Sequence, residues 1–268
     1  MNIEKVLFIG GNLRNFASVQ IRCQDIAPRL GCDSVFSVKN AEEVPSRYSA
    51  FICVTACLKQ EDIFKLAAKG PVIWDVIDVP PPKHGVSVYL TSTERAKQWF
   101  AAYGRVEVIP HHHCNFSGVP NPQDCRRPAW IGNLTWYPKL EGIDHDLYNV
   151  RTMTGNDVAQ AYRRIGIGLN LRRNCRQSDF HVEINSGIKL INCIGFGIPS
   201  VSSDEPAYHE IGEDCTIFAD INEYVKCVHQ LQEDEELYYR FRKNCLQASS
   251  KFHISSILKK YCSLIESL

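Results

Sequence analysis

No apolar run in this sequence approaches the roughly 20 residues that a membrane-spanning helix requires, so no membrane span is expected. Net charge is also absent, because 30 lysines and arginines balance 30 aspartates and glutamates. That balance argues against a protein held to nucleic acid by non-specific attraction, although a local basic face is compatible with it. Nothing is collagen-like or low in complexity. The opening "MNIEKVLFIGG" lacks a signal-peptide layout and reads as a charged start leading into a strand. No Gly-x-Gly-x-x-Gly follows that strand, which gives nicotinamide binding little support. What the chain has instead is 12 cysteines. They sit inside apolar runs such as "FICVTAC" and "LINCIGF", where cysteine behaves as a small buried hydrophobe. The expectation is a reduced, cytoplasmic protein with free thiols.

A length of 268 residues, 44% hydrophobic and 22% charged, suits one large domain or two of ordinary size. Residues 1–114 alternate apolar runs with helical patterns. Strands are expected over 5–11, 34–38, 49–56, 71–78, 86–92 and 106–110, and helices over 17–31, 60–70 and 93–104. The 60–70 segment, "QEDIFKLAAKG", opens with acids and closes with lysine and glycine, which are the signals of both helix ends. Proline, glycine and asparagine then interrupt the pattern, and 115–128 reads as a linker. In 129–268 strands are expected over 129–133, 147–153, 165–171 and 198–203, with helices over 155–164 and 187–197. Two long helical patterns, 221–250 and 254–268, close the chain. Continuous apolar strands alternating with helices indicate parallel sheets covered on both faces. The expected fold is therefore α/β, with two Rossmann-like domains facing across a cleft and a C-terminal helical tail.

The segment "SGIKLINCIGFGIPSVSSDEPAYHEIGED" (186–214) reads as a short helix, a Gly-x-Pro turn, a strand and a glutamate-containing loop. Through Lys189, Gly197, Pro199, Tyr208 and Glu210 it resembles the donor-binding domain of GT-B glycosyltransferases of the group-1 type. "ASVQIRCQDIAPRLGCD" (17–33) is similar to the first helix of their acceptor-side domain, and "VIWDVID" (72–78) to a strand carrying aspartates to the cleft. The resemblance implies an enzyme that moves a hexose or pentose from a nucleotide-diphosphate sugar, UDP- or GDP-linked, to a hydroxyl. A glycan, a small molecule or a modified nucleobase in DNA would serve as acceptor, and no metal would be required. It also implies donor contacts from Asn133, Asn192 and Glu210. Asn192 stands where many retaining members carry the glutamate that holds the donor ribose. A sugar-nucleotide epimerase and a non-catalytic sugar-nucleotide-binding protein are the alternatives.

Residue chemistry supplies candidates for each role. Ser186 and Gly187 at a helix start leave amides free for an anion, and Lys189 in the first turn reaches the same place. A capped surface helix would read the same way. Arg172 and Arg173 follow a predicted strand, where open α/β sheets bind ligands, and either would clamp phosphate with its fork. Gly11 and Asn12 end the first strand on the acceptor side. Asp75 and Asp78 end another, as candidate bases or sugar-hydroxyl ligands. "VIPHHHCN" (108–115) offers three histidines and a cysteine in a row. Alternate residues of an extended chain face opposite ways, so His111 and His113 share one side. Four consecutive residues do not wrap a tetrahedral ion unaided, and no second ligand pair is evident. The expectation is hinge packing, with His111 as a candidate cleft-lining base and no metal.

Overall fold

The computed structural model describes residues 5–12, 17–55, 58–77, 81–122, 125–172 and 182–268. It divides into two compact units. One comprises Met1–His111, Glu183–Ser186 and Ile257–Leu268, and the other His112–Val182 and Gly187–Ser256. The division differs from a single cut at a linker, because the last twelve residues pack with the first.

The first unit holds six parallel strands: β1 (Val6–Gly10), β2 (Asp33–Phe36), β3 (Ala50–Val54), β4 (Val72–Asp75), β5 (Val88–Thr91) and β6 (Val106–Val108). They run in the order β2-β1-β3-β4-β5-β6. Every residue of β1, β3, β4 and β5 is buried, as expected of strands covered on both faces. The helix expected over 17–31 is interrupted. Ala17–Val19 is α-helical, Gln20–Gln24 forms a π-helical turn, and Ala27–Leu30 resumes the α-helix. Pro28 has no N–H to give Gln24, so the ladder cannot run through, and the proline falls instead in the first turn of the resumed helix. Gly31 closes it at φ 73°. The tail helix Ile254–Glu266 brings fully buried Tyr261 against Phe8, with ring centroids 6.0 Å apart.

The second unit holds five parallel strands: β7 (Pro128–Gly132), β8 (Asp146–Asn149), β9 (Ile167–Asn170), β10 (Ser200–Ser202) and β11 (Thr216–Phe218). Their order is β11-β10-β9-β7-β8. Trp130 of β7 is fully buried among Leu169, Val201 and Tyr238 and donates its indole N–H to Leu171 O at 2.8 Å. The strand expected over 147–153 stops at Asn149, whose side chain accepts from Arg151 N and turns the chain into a 3₁₀ helix. The pattern over 221–250 is two helices, Tyr224–Glu233 and Glu235–Ser249, because the Asp234 side chain caps the second by accepting from Leu237 N at 2.9 Å. The helix Pro206–Gly212 and strand β11 have no counterpart among the expected elements. Among the described residues no helix is long and apolar enough to cross a membrane.

Candidate functional site

Parallel sheets with helices on both faces bind ligands beyond the carboxyl ends of their strands, at the point where the strand order reverses. In the second unit that point lies between β7 and β9. Among the described residues, three charged side chains gather beyond these strands and β10. Lys189 places its ammonium 4.1 Å from the centroid of the Trp130 ring. Gly132 ends β7 beneath it, and a Cβ there would stand 2.9 Å from Lys189 Nζ and 2.6 Å from the Trp130 ring. Only glycine leaves room for the lysine at this position. Arg172, two residues past β9, pairs through Nε with Glu205 Oε1 at 3.5 Å and donates its backbone N–H to Ser203 Oγ at 3.2 Å. Burial, then the neighbouring Arg172 charge, holds the Lys189 ammonium down at about 7, against a smaller upward pull from Glu205.

The helix that carries Lys189, Ile188–Phe196, is bounded by glycines at both ends. Gly187 is its N-cap at φ 61°, and a Cβ there would meet Ile211 Cδ1 at 2.0 Å. The left-handed conformation favours glycine, and a Cβ would oblige Ile211 to shift. Gly197 ends the helix at φ 69°, and its N–H and that of Ile198 bond back to the last turn. One face of the helix buries Leu190, Ile191 and Ile194 against Tyr208 and Ile211. Its first turn is thereby anchored beside the end of β7.

Other sequence candidates fall in different places. Asn133 follows Gly132, half-buried, and its side chain accepts from Thr135 N at 3.1 Å. Ser186 is half-buried just before the helix, and Glu210 is exposed on Pro206–Gly212. Asn192 is buried, and its Oδ1 accepts from Cys114 N at 2.9 Å. Arg173 and Asp78 lie outside the described residues.

In the first unit the order reverses between β1 and β3, and Gly11 and Asn12 leave the sheet there. Gly11 passes so close to Thr55 that a Cβ would lie 2.2 Å from Thr55 O. Thr55 itself holds φ 45°, an uncommon conformation for a β-branched residue. Asp75, at the end of β4, is wholly buried, with Oδ2 3.3 Å from Arg22 Nε. Its carboxylate faces the Arg22 guanidinium inside the unit.

The chain passes from one unit to the other within the histidine run, and all three histidines are buried. His113 lies against Gly195, where a Cβ would stand 2.4 Å from its ring. Its N–H donates to Phe252 O at 3.0 Å, and its ring centroid is 5.5 Å from that of His253. Burial, reinforced by His253 and His112, lowers His113 to about 4. His112 packs on Phe116. Among the described residues no group of three or more His, Cys, Asp or Glu is placed to hold a metal ion, and the cysteines described are free.

Three participants escaped the sequence reading: Trp130, Gly132 and Glu205. The glycine that ends β7 was the available signal for the first two, since a small residue there marks close approach.

The two strand orders make each unit Rossmann-like, and solved structures of the GT-B fold share this two-domain α/β architecture. No family model matches the sequence, and no curated protein does. Anabaena Alr3699/HepE, solved in complex with UDP and glucose, is similar at TM-score 0.73 and 12% identity, over 99% of this chain and 100% of that one. A glycosyltransferase from Rickettsia africae ESF-5 is similar at TM-score 0.70 and 9% identity, over 100% and 99%. An alpha-glucosyltransferase, in complex with UDP and a 13-mer DNA containing an HMU base, is similar at TM-score 0.62 and 10% identity, over 98% and 99%.

Proposed function

We propose that this chain is a glycosyltransferase that takes a sugar from a nucleotide-diphosphate donor, most simply a UDP-sugar, and transfers it to an acceptor hydroxyl. The observation that carries the reading is the pair of cations, Lys189 and Arg172, at the switch point of the second unit. The solved proteins of the same fold that hold UDP support the choice of nucleotide. In the transfer, the bond from the anomeric carbon to the diphosphate oxygen breaks and its electron pair stays with that oxygen. The acceptor oxygen bonds to the carbon and gives up its proton. Negative charge thus grows on the diphosphate as the sugar departs. Cations fixed beside the leaving oxygens stabilise it without having to reorganise. Lys189 supplies a compact charge, and Arg172 supplies a planar fork whose orientation Glu205 sets. The first turn of the helix Ile188–Phe196 would add its positive dipole end to them. The chemistry of the site requires no metal in this reading.

Because the charge on the leaving group grows towards the transition state, removing Lys189 should lower kcat as well as donor affinity. Lys189→Ala is expected to cost on the order of 2–4 kcal/mol, or roughly 30- to 1000-fold in kcat/KM. Lys189→Arg should restore part of it. A thermal-shift panel of UDP-, GDP-, ADP- and CMP-sugars identifies the donor, since ligand at ~100 times its Kd adds about 2.7 kcal/mol of stability. Turnover, or donor hydrolysis, of wild type and both variants then tests the role. A folded Lys189→Ala protein with unchanged donor affinity and rate would remove the diphosphate from this pocket.

A further inference from the structure

The sequence has four tryptophans, and the fold uses them differently. Trp74 and Trp130 are buried, and Trp130 gives its ring face to Lys189 and its N–H to Leu171 O. Trp136 leaves the same strand end as Trp130 and is 41% exposed. Among the described residues its indole has no aromatic, cationic or hydrogen-bonding partner. A single exposed aromatic on a loose loop would mean little. This one is held. It ends the 3₁₀ helix Leu134–Trp136, which follows Gly132 and Asn133 directly. Asn133 Oδ1 accepts from Thr135 N at 3.1 Å, Trp136 N donates to Asn133 O at 2.8 Å, and Tyr137 N donates to Leu134 O at 3.2 Å. Beyond the turn, Tyr137 packs edge to face on Trp130 with centroids 5.2 Å apart. Its hydroxyl accepts from Leu140 N at 3.2 Å and lies 2.7 Å from His145 Nε2. The turn is fixed on both sides before a ligand arrives, so little conformational freedom remains to be lost on binding.

We propose that Trp136 is the stacking platform for the nucleobase of the donor. The inference rests on the sugar-nucleotide reading above and adds to it the residue that holds the base. Gly132, where a Cβ would stand 2.9 Å from Lys189 Nζ, is joined to Trp136 by a single capped turn. The cation and the free indole therefore flank one strand end. A nucleoside diphosphate has the matching order of parts, a charged group and then, one ribose away, a planar uncharged ring. Of the groups attached to the diphosphate, the base alone is aromatic, and an indole face offers it stacking. The sugar presents hydroxyls, which call for hydrogen-bond partners that an indole face lacks. Because every base has a π-face, Trp136 supplies affinity for the nucleotide and little choice among bases.

Titration calorimetry on the full chain tests this with UDP, GDP, UDP-glucose and inorganic pyrophosphate, the last carrying the charge without the base. Trp136→Leu keeps apolar bulk and removes the π-face, whereas Trp136→Phe keeps both. The residue is exposed, so both variants should unfold at the wild-type midpoint. Trp136→Leu should weaken UDP and GDP by roughly 5- to 150-fold, and Trp136→Phe should retain most of the affinity. Pyrophosphate should bind all three proteins alike. In Trp99→Phe protein, UDP should also quench tryptophan emission, and the quenching should vanish when Trp136→Phe is added. Unchanged UDP affinity in Trp136→Leu, or an equal loss for pyrophosphate, would overturn the inference while leaving the donor reading standing. A loss confined to UDP-glucose, with UDP unaffected, would overturn it in favour of the sugar. No binding of UDP, GDP or UDP-glucose by wild type would overturn both readings.

Discussion

In the first unit, Arg22 and Asp75 meet at the carboxyl end of β4. In the second, Lys189, Arg172 and Glu205 meet beyond β7, β9 and β10. The first cluster is balanced and closed. Arg22 and Asp75 are each almost wholly buried, and the guanidinium also donates to Ile109 O (2.6 Å), Ser92 Oγ (3.0 Å), Tyr261 Oη (3.2 Å) and Pro110 O (3.3 Å). One arginine thereby ties the interrupted first helix to β4, to the exit of β6 and to the tail helix. Among the described residues the second cluster carries one more cation than carboxylate, and Arg172 keeps 23% of its side chain exposed. A balanced, buried pair holds a domain together. An unbalanced and partly open one suits the anion of the proposed donor.

The largest effect expected from breaking this contrast is at Asp75. Asp75→Asn leaves Arg22 buried with no counter-ion and should cost about 3–5 kcal/mol in denaturant unfolding. Glu205→Gln, beside an arginine that water still reaches, should cost about 1 kcal/mol or less. Equal costs for the two would erase the distinction between the clusters.

Acid should act next, through His113. Its proton affinity is depressed in the folded state, from 6.5 to about 4, so the unfolded chain binds the proton first as pH falls. The stability held by the neutral ring is complete above about pH 6.5 and is lost progressively as pH falls towards 4. That loss amounts to about 3 kcal/mol for this residue. Unfolding curves at the two ends of that window should show it. His113→Asn should flatten the dependence, and an unchanged slope would place the titrating group elsewhere.

The smallest contrast concerns two glycines of positive φ. Gly31 has nothing within 4 Å of where a Cβ would stand, whereas Gly187 would strike Ile211 at 2.0 Å. Gly31→Ala should cost about 1–2 kcal/mol from conformation alone. Gly187→Ala should cost about 2–3 kcal/mol, because the clash adds to the strain. It should also weaken UDP-sugar binding, which Gly31→Ala should leave unchanged. Identical losses would mean that Ile211 yields without moving the first turn of the lysine helix.

Much of the fold was legible because its signals are local. Buried strands such as "KVLFIGG" and "IGIGLNL" are continuous apolar runs, and Gly187 and Gly197 bracket the lysine helix in plain sight. The three-residue strand β11 was not legible, since "TIF" is too short for any periodicity. The break in the first helix was half visible in Pro28. In the site, Lys189 and Arg172 were legible as cations beside strand and helix ends. Glu205 was not, because nothing near it in sequence reveals that it faces Arg172.

Sequence by itself therefore determined the two alternating α/β halves, the glycine-bounded helix and the cations at its mouth. These follow from backbone conformation and apolar spacing within a few residues. Tertiary structure alone decided that Asp75 is sealed against Arg22, that the last twelve residues join the first unit, and that Lys189 lies over Trp130 beside Arg172. Burial and charge pairing act through space between residues far apart in the chain, and whether a carboxylate holds a domain together or a lysine keeps its proton depends on those neighbours.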